Sequence, residues 1–280
     1  MKCLLYLSNL PVLFCFTFCI GCKKVDQQPN KPDSSKWLLS KIYLDYENQS
    51  YLAEEFIYKG YKRPQVAIYR NNQGILRVDS FIYDSGGRLS QMHTLLAGRV
   101  YDGRKDIHYD RSDRMDTIRV FNRQDASIPV TIFTYKYTGD TVKQYIHGGD
   151  KFSIFDSISY SYDKQRNLSE WRVVPGYGLP YIISYQDYDN CYNIYSYLNM
   201  NVYLPSKDGN LNPPYLSKNN YRIWEEHSFT AAVGGSVDLL YTLSFREYTL
   251  DSLGLIRSAL DKSPTRGNVI KLSYEYIPAK

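Results

Sequence analysis

The stretch Phe81–Met92, FIYDSGGRLSQM, returns along the chain in weaker copies: IHYDRSDRMDTI, YSYDKQRNLSEW and YQDYDNCYNIYS. Tyr69, Tyr83, Tyr109, Tyr135, Tyr162 and Tyr188 are spaced 14, 26, 26, 27 and 26 residues apart. A period near 26 fits one hairpin with two longish strands, and self-similarity at such a period marks a repeated supersecondary unit. In most units an aliphatic residue follows the tyrosine by six positions: Tyr69/Ile75, Tyr83/Leu89, Tyr109/Met115, Tyr162/Leu168 and Tyr188/Ile194, with Leu250/Ile256 in the same places later on. The copy at Tyr137 is shorter at its turn.

That spacing has a geometric meaning. If residues zero and six face each other across a hairpin, residues one and five form the next pair inward and three residues remain as the loop. Such a loop needs a positive φ, usually supplied by glycine, and Ser85-Gly86-Gly87 provides it in the first full copy. The zero/six pair sets an aromatic against an aliphatic side chain, a favourable cross-strand contact. The one/five pairs are Asp84/Arg88, Asp110/Arg114, Asp163/Asn167 and Asp189/Asn193, polar pairs suited to a wet face. The aspartate is also placed to bond a nearby backbone N–H and close the turn. The motif therefore reads as a way of turning corners before it reads as a recognition element.

From Trp37 onward the pattern is strand-like. In VDLLYTLSF, Val237, Leu239, Tyr241, Leu243 and Phe245 share one face while Asp238, Thr242, Ser244 and Arg246 share the other. This period-two alternation is the signature of a sheet with one wet face. Tyr51 to Phe56 and Tyr221 to His227 are the best candidates for short helices. Between Tyr195 and Val237 the rhythm breaks into a stretch rich in Pro, Asn and Lys. Loops of this length are often functional, and Tyr203, Tyr215, Tyr221 and Trp224 are its candidate ligand contacts.

The N-terminus, MKCLLYLSNLPVLFCFTFCIGCKK, has a basic residue followed by a mainly apolar run that Pro11 interrupts and Gly21-Cys22 ends. This reads as a secretory signal over residues 1–21 rather than a membrane-spanning helix. Cleavage before Cys22 removes Cys3, Cys15 and Cys19, lipid occupies Cys22, and Cys191 remains alone among the five cysteines. No disulfide and no cysteine metal cluster is then expected. Residues 22–36 read as the lipidated cysteine and a polar tether, and 37–280 as a single domain.

Tyrosine dominates the aromatic content, with 29 Tyr against 11 Phe and 3 Trp. It suits half-buried pleated surfaces, and it would also suit a platform for sugars or peptides. Net charge is +5 with the signs interleaved, so no nucleic-acid footprint is expected. His93, His108, His147 and His227 stand in no zinc spacing. No G-x-S-x-G elbow is present. The chain is expected to be non-catalytic, with no cofactor and no metal. Two carboxylates meeting from distant strands would be the route to a glycan hydrolase.

The CIGC lipobox, the CKK start, the Y-D-x-x-G-R-L hairpins, and then YLSKNN, REYTLDSLGLIRSA and IKLSYEY in that order resemble uncharacterised Bacteroidetes lipoproteins with a tyrosine-rich β-meander. That resemblance covers Trp37 to Tyr276 and implies a porin-like fold, a soluble or surface-attached β structure, and no catalytic residues to carry over. The mature protein, beginning at lipidated Cys22, is expected at the outer membrane, on the surface or periplasmic side. The hairpins also resemble the YD repeats of secreted Rhs-type shells, which are shorter and more regular.

The expected architecture is all-β: a long antiparallel meander of roughly a dozen strands, curled into an open or closed barrel-like sheet. The expected role is a lipid-anchored binding or interaction module for a glycan, peptide or partner protein. A structural envelope protein without a small ligand is the alternative. An exposed concave cluster of tyrosines with Trp224 would favour glycan binding, and burial of the aromatics between sheet faces would remove it.

Overall fold

The computed structural model describes residues 34–46, 49–60, 62–97, 101–148, 153–174, 180–198, 200, 217–232, 235–265 and 267–280. Sixteen strands follow one another. The first eight are β1 (Trp37–Tyr46), β2 (Gln49–Ile57), β3 (Val66–Asn71), β4 (Gly74–Tyr83), β5 (Leu89–Leu96), β6 (Tyr101–Tyr109), β7 (Met115–Phe121) and β8 (Thr131–Thr138). The second eight are β9 (Thr141–Gly148), β10 (Ser153–Tyr162), β11 (Leu168–Val174), β12 (Tyr181–Tyr188), β13 (Tyr221–Ala232), β14 (Gly235–Leu250), β15 (Ile256–Ser263) and β16 (Asn268–Pro278). Each pairs antiparallel with its sequence neighbours, and β1 pairs with β16 from Trp37↔Pro278 to Asp45↔Lys271. The meander is thus a closed barrel, which leaves no edge strand exposed.

The barrel has more strands than the hairpin count predicts. Tyr51 to Phe56 and Tyr221 to His227 are not helices but parts of β2 and β13. The rhythm therefore resumes at Tyr221, inside the stretch read as a break.

Consecutive antiparallel pairing fixes where the connections go. Every turn from an even to an odd strand lies at one end, together with the start of β1 and the end of β16, where the Ala279 N–H donates to the Lys36 carbonyl at 2.9 Å. We call this the terminal end and the opposite one the distal end. All the tyrosine–aspartate turns are at the terminal end.

Register separates the two faces of the wall. Ile42 pairs with Glu54 and Tyr274, Glu54 with Tyr69, and Tyr69 with Arg77; these side chains point inward. Phe81, Met92 and Lys105 form a second inward row, and Ile118 and Phe133 a third. Side chains of these two rows are almost fully buried. A sixteen-stranded barrel of round section is wide enough for an aqueous channel, yet where it is described this interior is filled. Residues one step out of phase face the other way and carry charge. Lys41–Glu275 at 3.4 Å, Arg70–Glu55 at 2.6 Å and Lys262–Glu247 at 2.8 Å link adjacent strands on the outer face.

One alternation is inverted relative to its reading from sequence. On β14 the polar residues Thr242 and Ser244 are buried, and Arg246 faces the interior with Asp261 of β15, while Phe245 faces out. A polar side chain can occupy an interior when its partners are there too. Arg246 has its ion pair with Asp261, and its guanidinium lies 4.8 Å from the centre of the Tyr221 ring.

Candidate functional site

The repeat was the first candidate for a binding element, and its geometry is now defined. Tyr83 pairs with Leu89, Tyr109 with Met115, Tyr162 with Leu168 and Leu250 with Ile256, as the six-residue spacing requires. The one/five residues close the loop: the Asp84 N–H donates to the Arg88 carbonyl at 2.8 Å, and Asp110 and Asp163 repeat this with Arg114 and Asn167. The fourth residue after each strand-end residue adopts a positive φ: Gly87 at 76°, Asp113 at 58°, Arg166 at 69° and Gly254 at 79°. Two copies thus place a non-glycine residue in the left-handed region, which costs such residues about 1 kcal/mol or more. At Gly87 a Cβ would also approach to 2.1 Å of the Arg63 guanidinium.

The aspartate closes the turn. Asp84 Oδ1 accepts from the Arg88 N–H at 2.8 Å, Asp110 Oδ1 from Ser112 and Arg114, and Asp251 Oδ1 from Leu253 and Leu255. These donors hold the Asp84, Asp110 and Asp251 carboxyls below the usual carboxylate range. Where the fifth residue is arginine, it also pairs with the aspartate, at 2.8 Å in both Asp84–Arg88 and Asp110–Arg114.

Two expected pairs do not form. Tyr69 faces Arg77 rather than Ile75, because the β3–β4 turn is a tighter one at Asn72-Gln73. Tyr188 faces Tyr221 rather than Ile194. At Tyr188 the hairpin has been opened and an excursion inserted. The Asp189 N–H donates to the Asn220 carbonyl at 3.0 Å, so Asn220 stands where Asn193 was expected.

A second layer of contacts joins one hairpin to the next. The Tyr109 hydroxyl donates to the Leu89 carbonyl at 2.9 Å, and the Tyr137 hydroxyl to the Met115 carbonyl at 2.7 Å. The Tyr188 hydroxyl reaches the Leu168 carbonyl, and Tyr83 and Tyr248 make the same kind of bond to Pro64 and Tyr221. Each tyrosine thus ties its own hairpin to the preceding one. The preceding hairpin answers with its arginine, Arg88 lying 4.8 Å from the Tyr109 ring centre and Arg114 4.7 Å from that of Tyr137. Burial pushes the Tyr83, Tyr109, Tyr188 and Tyr248 hydroxyls up, so they remain protonated donors.

The excursion is anchored by its two ends. A short 3-10 turn, Ile194–Leu198, buries Ile194, Tyr197 and Leu198, and the Tyr197 ring meets that of Tyr276 edge-on at 5.2 Å. Asp189 Oδ1 accepts from the Cys191 N–H at 3.0 Å and the Asn220 N–H at 3.1 Å. The Asn219 N–H donates to Asn167 Oδ1 at 2.9 Å. Asn167 was expected on a wet face; it is buried because the excursion lies over it.

Inside the barrel a charged row crosses β2 to β6. The Arg77 guanidinium lies 4.0 Å from the Tyr69 ring centre and ion-pairs with Asp79 at 3.1 Å. Thr94 donates to Asp79 at 2.8 Å, and Lys105 is buried in the same region. Burial holds the Asp79 carboxyl above its ordinary value against the pull of Arg77, Thr94 and Lys105. Glu54, whose Oε2 is buried without a hydrogen-bond partner, is pushed up to about 7 by burial, with Arg77 opposing. Tyr195 of the excursion lies within electrostatic reach of Glu54, Tyr274 and Arg246.

Among the described residues no group of three or more His, Cys, Asp or Glu side chains could share a metal ion. Of the candidate contacts, Tyr221 is 7% exposed and Trp224 is half-buried, packed against the core. Cys22, Tyr203 and Tyr215 lie outside the described residues. Sequence reading missed the tyrosine–carbonyl bonds. The signal for them was the choice of Tyr over Phe at a period of one hairpin.

No protein-family model matches the sequence, and no curated protein matches it either. Among solved structures the chain is similar to a porin-like protein from Bacteroides vulgatus, at 11% identity and a TM-score of 0.49, over 86% of this chain and 99% of that one. It is also similar to a porin-like protein from Bacteroides uniformis, at 13% identity and a TM-score of 0.36, over 85% and 96% of the two chains. The Photorhabdus luminescens Tc holotoxin pore gives 14% identity and a TM-score of 0.30, over 73% of this chain and 9% of that one.

Proposed function

We propose that the chain is a lipid-tethered envelope protein whose barrel stands in water and acts as a non-catalytic interaction module for a protein or membrane partner. The observation that carries this reading is the outer face of the wall. Lys41, Glu55, Arg70, Glu247, Lys262 and Glu275 lie on it in cross-strand pairs. A membrane-spanning barrel needs a continuous apolar band there, and charges at mid-depth are destabilising. Membrane attachment then falls to Cys22, the cysteine of the lipobox.

The aromatic content supports a partner other than a stacked sugar. Tyr58, Tyr135, Tyr160, Tyr185, Tyr197 and Tyr274 are core residues, and Tyr83, Tyr109 and Tyr188 of the repeat donate to backbone carbonyls. Phe245, at 39%, is the most exposed large aromatic among the described residues.

The test is fractionation of cells carrying a variant in which residues 1–22 are replaced by a secretory signal that is cleaved without a lipidated cysteine. The wild-type protein should carry acyl chains on Cys22 by mass spectrometry and sediment with membranes. The variant should be released into the soluble fraction by carbonate while retaining its cooperative melt. A variant that stays in membranes through carbonate and urea would reverse the reading in favour of an inserted barrel.

A further inference from the structure

We propose that the terminal end of the barrel is a docking face for an anionic phospholipid surface. The basic side chains exposed there include Lys59 between β2 and β3, Arg111 between β6 and β7, Lys164 and Arg166 between β10 and β11, Lys218 before β13 and Arg222 at its start. They are spread over four connections around the rim. The acids of the same turns are largely withdrawn. Asp84, Asp110, Asp163, Asp189 and Asp251 are turned to backbone N–H groups, and Asp113 is paired with Arg88 at 2.5 Å. Asp140 and Asp187 are the other exposed acids on this end. Exposed cations outnumber the exposed acids Asp113, Asp140 and Asp187 on the rim and set the sign of its outward potential.

Topology gives this charge a direction. The chain enters β1 from Ser34 at the terminal end, so a tether from Cys22 leads to the same end as the basic rim. Residues 23–33 span no more than about 40 Å even when extended. A lipid surface attracts basic residues only within about a Debye length, roughly 10 Å, and each contributes about fivefold in binding there. An end-on posture brings these cations into that layer, whereas a barrel lying on its side presents paired charges. Which end faces the membrane rests on the tethered reading; the rim charge does not.

The experiment is vesicle co-sedimentation of the chain from residue 22 onward with Cys22→Ser. All sixteen strands and the closure lie within Trp37–Pro278, so this chain keeps the whole fold. It should bind vesicles of phosphatidylcholine containing phosphatidylglycerol and leave pure phosphatidylcholine vesicles at least tenfold more readily. High salt should release it, and excess inorganic phosphate at constant ionic strength should not. The variant K59E/R111E/K164E/K218E should bind about 100-fold or more weakly. The variant R119E/R123E/K262E/K271E changes the net charge equally on the wall and distal end and should bind within about threefold of the parent. Equal loss in both variants, displacement by free phosphate, or no preference for the anionic vesicles would overturn the docking face. Acylated Cys22 together with absent vesicle preference would remove the face and keep the tether. Unacylated Cys22 together with intact vesicle binding would remove the tether and keep the face.

Discussion

Asp189→Ala is expected to cost about 3–5 kcal/mol, far more than the same change at Asp110. The two residues hold equivalent places in the repeat, but their surroundings differ. Asp110 closes an exposed three-residue loop, and water can replace it at the N–H groups of Ser112 and Arg114. Its loss should cost about 1 kcal/mol. Asp189 is 9% exposed, and its carboxylate accepts from the Cys191 and Asn220 backbones and twice from Asn220 Nδ2. Burial raises its pKa above the ordinary value despite these donors and nearby Arg222, so the site is a desolvated one. Alanine would strand buried donors on both ends of the excursion. Urea unfolding should show the difference, and amide exchange should quicken over 189–198 and 217–220 before the wall opens. Equal losses at Asp189 and Asp110 would mean that the excursion is not held by this carboxylate.

The second large effect is a dependence on pH. Glu54 starts from an ordinary 4.5 and is raised by burial to about 7 in the folded chain. Between those values the folded state keeps a proton that the unfolded state has released. Stability therefore falls as pH rises from about 4.5 to about 7 and levels off above, by on the order of 3 kcal/mol from this group. Arg77 moderates the loss by favouring the ionised form. Tyr69, Tyr195 and Tyr274 face the same carboxyl, and burial holds all three hydroxyls neutral. Glu54→Gln should flatten this segment of the profile and raise the melting temperature at pH 8 by about 6–12 °C. An unchanged slope in the glutamine variant would assign the pH dependence elsewhere.

The repeat was the most legible part of the chain. Tyr83 and Leu89 were assigned to opposite sides of a three-residue loop by position counting, and they are cross-strand partners. The same count failed at Tyr188 because a hairpin turn and the start of an insertion look alike for several residues. Asp189, Asn193 and Ile194 continue the motif, yet the partner of Asp189 is Asn220, which no local spacing can reveal. Alternation failed on β14 for a different reason. A period of two identifies two faces but not which of them is inside, and the Arg246–Asp261 pair lets a polar face be the inner one. Barrel closure was left open because it depends on β1 meeting β16, the most distant pairing in the chain.

The tyrosines also alter the functional reading. An excess of Tyr over Phe resembles a ligand platform until the hydroxyl partners are known. For Tyr109, Tyr137 and Tyr188 those partners are backbone carbonyls of the preceding hairpin, at Leu89, Met115 and Leu168, and the ring faces of Tyr109 and Tyr137 carry arginines. The repeat is consumed in joining hairpins, so partners are to be sought on the rim and the excursion.

The most direct measurement of this account is the urea unfolding of a variant with Tyr83, Tyr109, Tyr137 and Tyr188 all changed to Phe. The rings and their packing remain, while the four hydroxyl-to-carbonyl bonds are lost together with the Tyr188–Ser217 hydroxyl contact. With about 1 kcal/mol for each of these part-buried bonds, stability should fall by about 4 kcal/mol with the unfolding slope unchanged. Undiminished stability in the four-fold variant would contradict the claim that the tyrosine hydroxyls hold successive hairpins together.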